Sequence, residues 1–197
     1  GRVGGGPLVS LLLACAMRIE ARFARQGVTD PSTTVHFAKI GVKTHLPAEV
    51  PQSAVGVSGV CGTLSAQLRP GAVVVPDVVL HKDGRRFYCT GAHELAKLLR
   101  EAGLPVVQGM VLTTPKIELS KAQMARNAET GAIAVDMETA TLFDEAGTKP
   151  FAAVRVVSDG VDASMFSPGI LKRGYLALKH VRAATPALEE WARIVSA

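Results

Sequence analysis

Gly131-Ala-Ile-Ala-Val-Asp136-Met137-Glu138, then residues 139–147, then Pro150-Phe-Ala-Ala-Val-Arg155-Val-Val-Ser158-Asp159, is the stretch whose reading decides the fold. A short apolar run ends in two carboxylates, a helical segment closes at Gly147, and a second buried run ends in Ser158-Asp159. This order predicts a β-α-β unit and so an α/β fold. In open α/β sheets ligands gather beyond the carboxyl ends of the strands, which makes Asp136, Glu138, Ser158 and Asp159 candidate site residues at one sheet edge. Each also has a plainer reading. Asp136 and Glu138 fit the start of the following helix, where carboxylates favour the dipole, and Ser-Asp-Gly fits a turn.

Working outward, composition narrows the class. The 197 residues are 48% apolar and 20% charged, an ordinary globular mixture long enough for one domain with a sizeable core. No run approaches the ~18 to 20 apolar residues of a membrane span. The net charge of +5 admits an anionic partner, but the basic residues are scattered, and two tyrosines and one tryptophan offer little base stacking. That pattern argues against a nucleic-acid partner. Cys15, Cys61 and Cys89 lack metal-ligand spacing and read as reduced thiols of a cytoplasmic protein.

Residues 1–6 are glycine-rich, with no reason to be ordered. Leu11-Leu-Leu-Ala14-Cys15-Ala16 has the look of a signal-peptide core or a lipid-attachment site, but Arg2 is the only positive charge before it. The expected reading is a buried first strand followed by a helix over residues 17–26. Residues 33–44 alternate as a strand, with Val35, Phe37, Ile40 and Val42 apolar. Only residues 45–52, with Pro47 and Pro51, separate it from the next strand, whereas a parallel crossover normally takes a dozen or more. Residues 54–64 read as a strand running into a glycine-rich loop, where backbone N–H groups approach an anion or a sugar closely.

A hairpin is expected over residues 78–88, turning at Asp83-Gly84, with His81 as a surface group. Helices are expected over 92–102 and 120–130, and one strand over 105–114. The last helical region, 171–195, has Leu176, Val181, Leu188, Trp191 and Ile194 as its buried stripe and a break at Pro186. No repeat or linker interrupts residues 1–197, so one domain is the economical reading.

The Val-Asp136-Met137-Glu138 segment followed by Val-Arg-Val-Val-Ser158-Asp159 resembles the signature pair of the purine nucleoside phosphorylase and nucleosidase superfamily. It is most similar to the 5′-methylthioadenosine/S-adenosylhomocysteine nucleosidase branch. Ala16-Met17-Arg18-Ile19-Glu20 and the segment from Gly59 to Leu64 also fit that family, in the family's order. The resemblance implies a three-layer α/β fold with a central mixed, mostly parallel sheet flanked by helices. It gives Asp159 the role of acid at purine N7 and Glu20 that of the base activating the attacking water. Glu138 would bind the ribose hydroxyls and Met137 would pack on the sugar. Asp136, Ser158, Gly62, Val60, Ile117 and Phe166 join them as substrate-binding candidates.

The sequence also departs from the family. Val60 stands where relatives usually carry Ser or Thr, and Ile117 lies near where they place a purine-stacking aromatic. The missing crossover helix bears on the homodimer that relatives form. Met165 and Phe166, in the loop over 160–168, would suit an apolar 5′ substituent.

N-glycosidic cleavage makes the sugar cation-like while the base gathers negative charge. An acid at N7, a carboxylate on the ribose and a base for water meet that need without a metal or organic cofactor. The expected activity is hydrolysis of an adenosine-type nucleoside such as methylthioadenosine or S-adenosylhomocysteine. Phosphorolysis, including a hopanoid-associated phosphorylase-like role, is the alternative, although the Gly-x-x-Arg signature of phosphorylases is absent. A catalytically silent nucleoside-binding relative is the third reading.

Overall fold

Two long parallel strands, β3 (Ala54–Thr63) and β10 (Phe151–Asp159), carry the architecture, with Phe151 opposite Val55 and Arg155 opposite Gly59. The computed structural model describes residues 9–116, 120–159 and 170–197. Two strands share the other edge of β3. β1 (Leu11–Cys15) runs parallel to it as far as Val57, and β9 (Ala134–Asp136) runs antiparallel at Gly62 and Thr63. Between Val57 and Gly62 that edge is left open, which makes room for the site described below.

The antiparallel run of β9 corrects the β-α-β expectation. The helix between them, α4 (Thr139–Ala146), ends at Gly147 as read from the sequence. However, β9 points against β3 and therefore against β10. Asp136 and Ser158 thus do not share a carboxyl edge; β9 instead carries Asp136 back along the flank of β3.

The two arms of the sheet are also tied to each other by short connections. Its path runs from β5 (Val78–His81) through β8 (Val111–Thr113), β9, β3 and β10 to β4 (Val73–Val75) and β7 (Val106–Gln108). Only Pro76 and Asp77 separate β4 from β5, and only Gly109 and Met110 separate β7 from β8. Opposite arms of the path are therefore joined covalently, and the sheet curls. This divides the strand expected over 105–114. A Cβ at Gly109 would lie 2.6 Å from Ile133 Cδ1, so the bend passes close under that side chain. Among the described residues six of the nine strand pairings are parallel and three antiparallel, a mixed, mostly parallel sheet.

Alternation along β1 sorts the layers. Leu11, Leu13 and Cys15 pack with α1 (Arg18–Gly27), α2 (Ala92–Glu101) and α5 (Ile170–Ser196), whereas Leu12 and Ala14 pack with Leu142 and Ala146 of α4. Among the described residues no helix is long and apolar enough to cross a membrane. β5 and β6 (Arg86–Tyr88) form the expected hairpin, and Ser120 caps α3 (Lys121–Ala128) by accepting from Gln123 N at 3.1 Å.

Three further expectations needed correction. Strand β2 (Thr34–Phe37) is shorter than read, because the chain leaves β1 after Phe37; Ile40 and Val42 are exposed around a 3₁₀ turn, Gly41–Lys43. No crossover helix follows, yet β2 and β3 still flank β1 in parallel. The glycine segment after residue 59 is not a loop, since β3 continues through it to Thr63.

Finally, α5 runs unbroken through Pro186, and Leu176 and Ile194 lie exposed, outside its buried stripe. Proline has no N–H to bond the carbonyl four residues back, Arg182 O. Gly27 covers that oxygen, and a Cβ at Gly27 would lie 2.1 Å from it.

Candidate active site

The residue that organises the site is Arg155, fully buried in the middle of β10. A guanidinium cannot give up its charge, so burial demands counter-charges. Nε lies 2.7 Å from Asp136 Oδ2 and donates to Thr139 Oγ1 at 2.9 Å, while Nη2 donates to Glu138 Oε2 at 3.0 Å. Nη1 is a buried donor without a hydrogen-bond partner among the described residues. Asp136 is fully committed: Thr113 Oγ1 donates to Oδ1 at 2.6 Å, Thr139 Oγ1 bonds Oδ2, and Thr139 N reaches Oδ1 at 3.4 Å. Its plainer reading as a cap on α4 is thus part of its role. Glu138 makes no side-chain cap; its Oε1 accepts from Gly41 N at 3.3 Å.

Glu20 enters through the gap on the edge of β3. It sits in the first turn of α1, 1% exposed, and accepts from Val60 N and Met17 N, both at 2.8 Å. A solvated helix glutamate is therefore excluded. Gly59 explains the approach. A Cβ there would lie 2.7 Å from Glu20 Oε1 and 2.8 Å from Arg155 Nη1, so only glycine leaves room over β3 for both the carboxylate and the guanidinium nitrogen.

Three carboxylates therefore surround one cation. Burial pushes Glu138 up to about 7; Arg155 and the Gly41 amide oppose the shift, and Asp136 and Glu20 add to it. Burial also raises Glu20, against Arg155 and the amides of Val60, Met17 and Ala16. Arg155 is held charged more firmly than usual, because the three carboxylates outweigh its desolvation. Burial and mutual repulsion thus oppose full ionisation of the three carboxylates, and Arg155 is the charge that offsets both.

Of the residues singled out from the sequence, Glu20, Asp136 and Glu138 converge on Arg155. Val60 contributes its backbone N–H. Met137 lies beside Gly41, where a Cβ would be 2.9 Å from Met137 Cε. Gly62 pairs with Val135 and stands level with Asp159 in the β3–β10 register. That register shifts between Val157 and Asp159, a bulge at Ser158, whose hydroxyl donates to Cys61 O at 3.4 Å. Ile117, Phe166 and the side chain of Asp159 lie outside the described residues, as does the loop over 160–168. His81 is apart from the site, bonded to Asp83 in the hairpin turn. Arg155 was not singled out from the sequence as a candidate, and its signal was a charge inside an otherwise apolar strand.

Residues 45–166 match the Phosphorylase superfamily, whereas none of the curated proteins matches the chain. Solved structures repeat the fold at low identity. The Campylobacter jejuni 5′-methylthioadenosine/S-adenosyl homocysteine nucleosidase is 16% identical, with TM-score 0.78 over 92% of this chain and 99% of that one. The Helicobacter pylori nucleosidase solved with butyl-thio-DADMe-Immucillin-A is 17% identical, with TM-score 0.76 over 96% and 100%. Futalosine hydrolase of Helicobacter pylori is 18% identical, with TM-score 0.73 over 96% and 99%. The superfamily match spans more than half of the sequence, and the fold around the Arg155 cluster agrees with it: the chain belongs to the phosphorylase superfamily.

Proposed function

We propose that the protein hydrolyses the N-glycosidic bond of an adenosine-type nucleoside, with 5′-methylthioadenosine or S-adenosylhomocysteine as the first substrates to test. Membership of the superfamily makes it an enzyme of the nucleosidase or nucleoside phosphorylase class. The choice of water over phosphate rests on one observation: Glu20 is buried on the edge of β3 beside the unpartnered Nη1 of Arg155. A carboxylate next to a guanidinium donor suits a water molecule, which gives a proton to one and accepts a hydrogen bond from the other. A phosphate dianion would instead meet the charge of Glu20 at short range.

In this reading Glu138 accepts the ribose hydroxyls and raises electron density on the sugar as it becomes cation-like. Met137 packs on the ribose. Asp159 protonates N7 of the leaving purine, and Glu20 takes the proton of the attacking water. Asp136 acts at one remove, by holding Arg155. Ile117 and Phe166 are proposed to contact the base and the 5′ group. The nucleosidases and futalosine hydrolase that share the fold support the reading. A homodimer and a cytoplasmic location belong to the same proposal. Cys15, Cys61 and Cys89, none of them in a disulfide, fit the location, and a single copy in light scattering would remove the dimer.

The test is release of free adenine from 5′-methylthioadenosine, with and without phosphate, alongside Asp159→Asn. Equal release in both buffers, lost in the variant, supports hydrolysis and the acid. Release only with phosphate, yielding a ribose-1-phosphate, moves the assignment to phosphorolysis. Binding without release makes the protein a silent relative.

A further inference from the structure

The segment that replaces the crossover helix between β2 and β3 is built as a strap. Its base is tied by Ala38 N to Cys15 O at 2.8 Å, His45 N to Ala38 O at 2.9 Å and Leu46 N to Glu145 Oε2 at 2.6 Å. Between these ties Lys39, at φ 67, is the one non-glycine residue with positive φ among the described residues, and Gly41 follows at φ 60. A left-handed lysine is a local cost that persists only where the surroundings impose it. Here the two left-handed residues turn the tip inward. Gly41 is buried, its N–H on Glu138 Oε1 at 3.3 Å, with no room for a side chain: a Cβ would lie 2.8 Å from Pro115 O and 2.9 Å from Met137 Cε.

An ionised carboxylate offers roughly four acceptor positions. On Glu138 one per oxygen is taken, Oε1 by Gly41 N and Oε2 by Arg155 Nη2. We propose that Gly41 is a positioning residue for Glu138: the strap and Arg155 pin the carboxylate from both sides and leave one acceptor on each oxygen, matched to the vicinal 2′,3′-diol of a ribose. The short strap thereby sets the preference for ribonucleosides over 2′-deoxyribonucleosides. The inference rests on the nucleoside reading above and deepens it.

Two measurements test the proposal and separate it from that reading. The first is amide hydrogen exchange over residues 39–45 in the empty protein and in Glu138→Ala. The Gly41 amide should exchange about tenfold faster or more in the variant, as expected for losing a hydrogen bond to a charged acceptor, and unchanged exchange overturns the proposal. The second compares kcat and KM for 5′-methylthioadenosine and its 2′-deoxy analogue in wild type, Gly41→Ala and Lys39→Gly. Gly41→Ala should lower kcat/KM for the ribonucleoside about tenfold or more, chiefly through KM. The analogue should lose less, so that discrimination narrows. Lys39→Gly removes the strained side chain but keeps the Gly41 amide, and should preserve discrimination. Equal losses on both substrates, or a loss confined to kcat, overturn the proposal. An intact exchange response in a protein that neither binds nor cleaves either nucleoside sinks the nucleoside reading and leaves the Gly41 to Glu138 coupling standing.

Discussion

Glu189 on α5 and Glu138 ahead of α4 are almost equally hidden, 2% and 5% exposed, and they are held in opposite ways. Glu189 is met by donors that carry no charge: Thr29 N, the Thr29 hydroxyl and Asp30 N all point at its carboxylate, tying the loop after α1 to α5. Its acceptors are spent within the fold. Glu138 shares one buried arginine with two other carboxylates and keeps acceptors in reserve. Burial alone therefore does not mark a site. A hidden charge with unspent hydrogen-bonding capacity does, because the fold gains little from leaving it so.

The largest test of this contrast is Arg155→Ala. Removing the cation that they share leaves Asp136, Glu138 and Glu20 facing one another, and stability should fall by about 3 to 5 kcal/mol in denaturant unfolding. Arg155→Lys should recover little, since one ammonium cannot serve two carboxylates in a planar fork. Next comes pH. The folded state raises Glu138 from its ordinary 4.5 to about 7. The folded state thus holds this proton more tightly than the unfolded one, and the associated stability is complete below about pH 4.5 and is lost as pH rises through about 7.

The loss is at most about 3 kcal/mol, and Glu138→Gln should flatten it in unfolding curves. Activity should run the other way. An ionised Glu138 is needed to accept ribose hydroxyls, so kcat/KM should climb over the same window. A stability curve that rises there would break the assignment. Glu189→Ala, in contrast, should cost about 2 kcal/mol in unfolding, without altering KM for a nucleoside. Smallest is Arg193→Ala. Its pairs with Asp30 and Glu190 lie at the surface, and the change in unfolding free energy should stay within about 0.5 kcal/mol.

The elements read best from sequence were those whose patterns are local. The apolar run of β1, the Gly147 stop of α4 and the Asp83-Gly84 hairpin each follow from a few neighbouring residues. What failed depends on partners far along the chain. Nothing in Ala134–Asp136 says that it will pair antiparallel with β3, and nothing in residues 105–114 says that two halves of one run will join opposite arms of the sheet. Ile40 and Val42 suit a strand as well as a turn until Gly41 is seen against Glu138. Pro186 predicts a break unless a neighbour covers the carbonyl it strands.

At the candidate site, Glu20, Asp136, Met137 and Glu138 were singled out through their motifs, and the structure brings the three carboxylates among them together around Arg155. Arg155 was printed within the same motif and read only as part of a buried strand, because a lone charge in an apolar run has meaning only once its three counter-charges are in view.

The fit of Gly27 over Arg182 O carries a consequence for how related chains diverge. If position 27 gains a methyl first, the methyl collides with a carbonyl that has nowhere to turn. If position 186 first regains an amide, that carbonyl returns to its own helix, and room opens at position 27. The two sites are therefore expected to drift as a pair and in a fixed order, the proline yielding before the glycine.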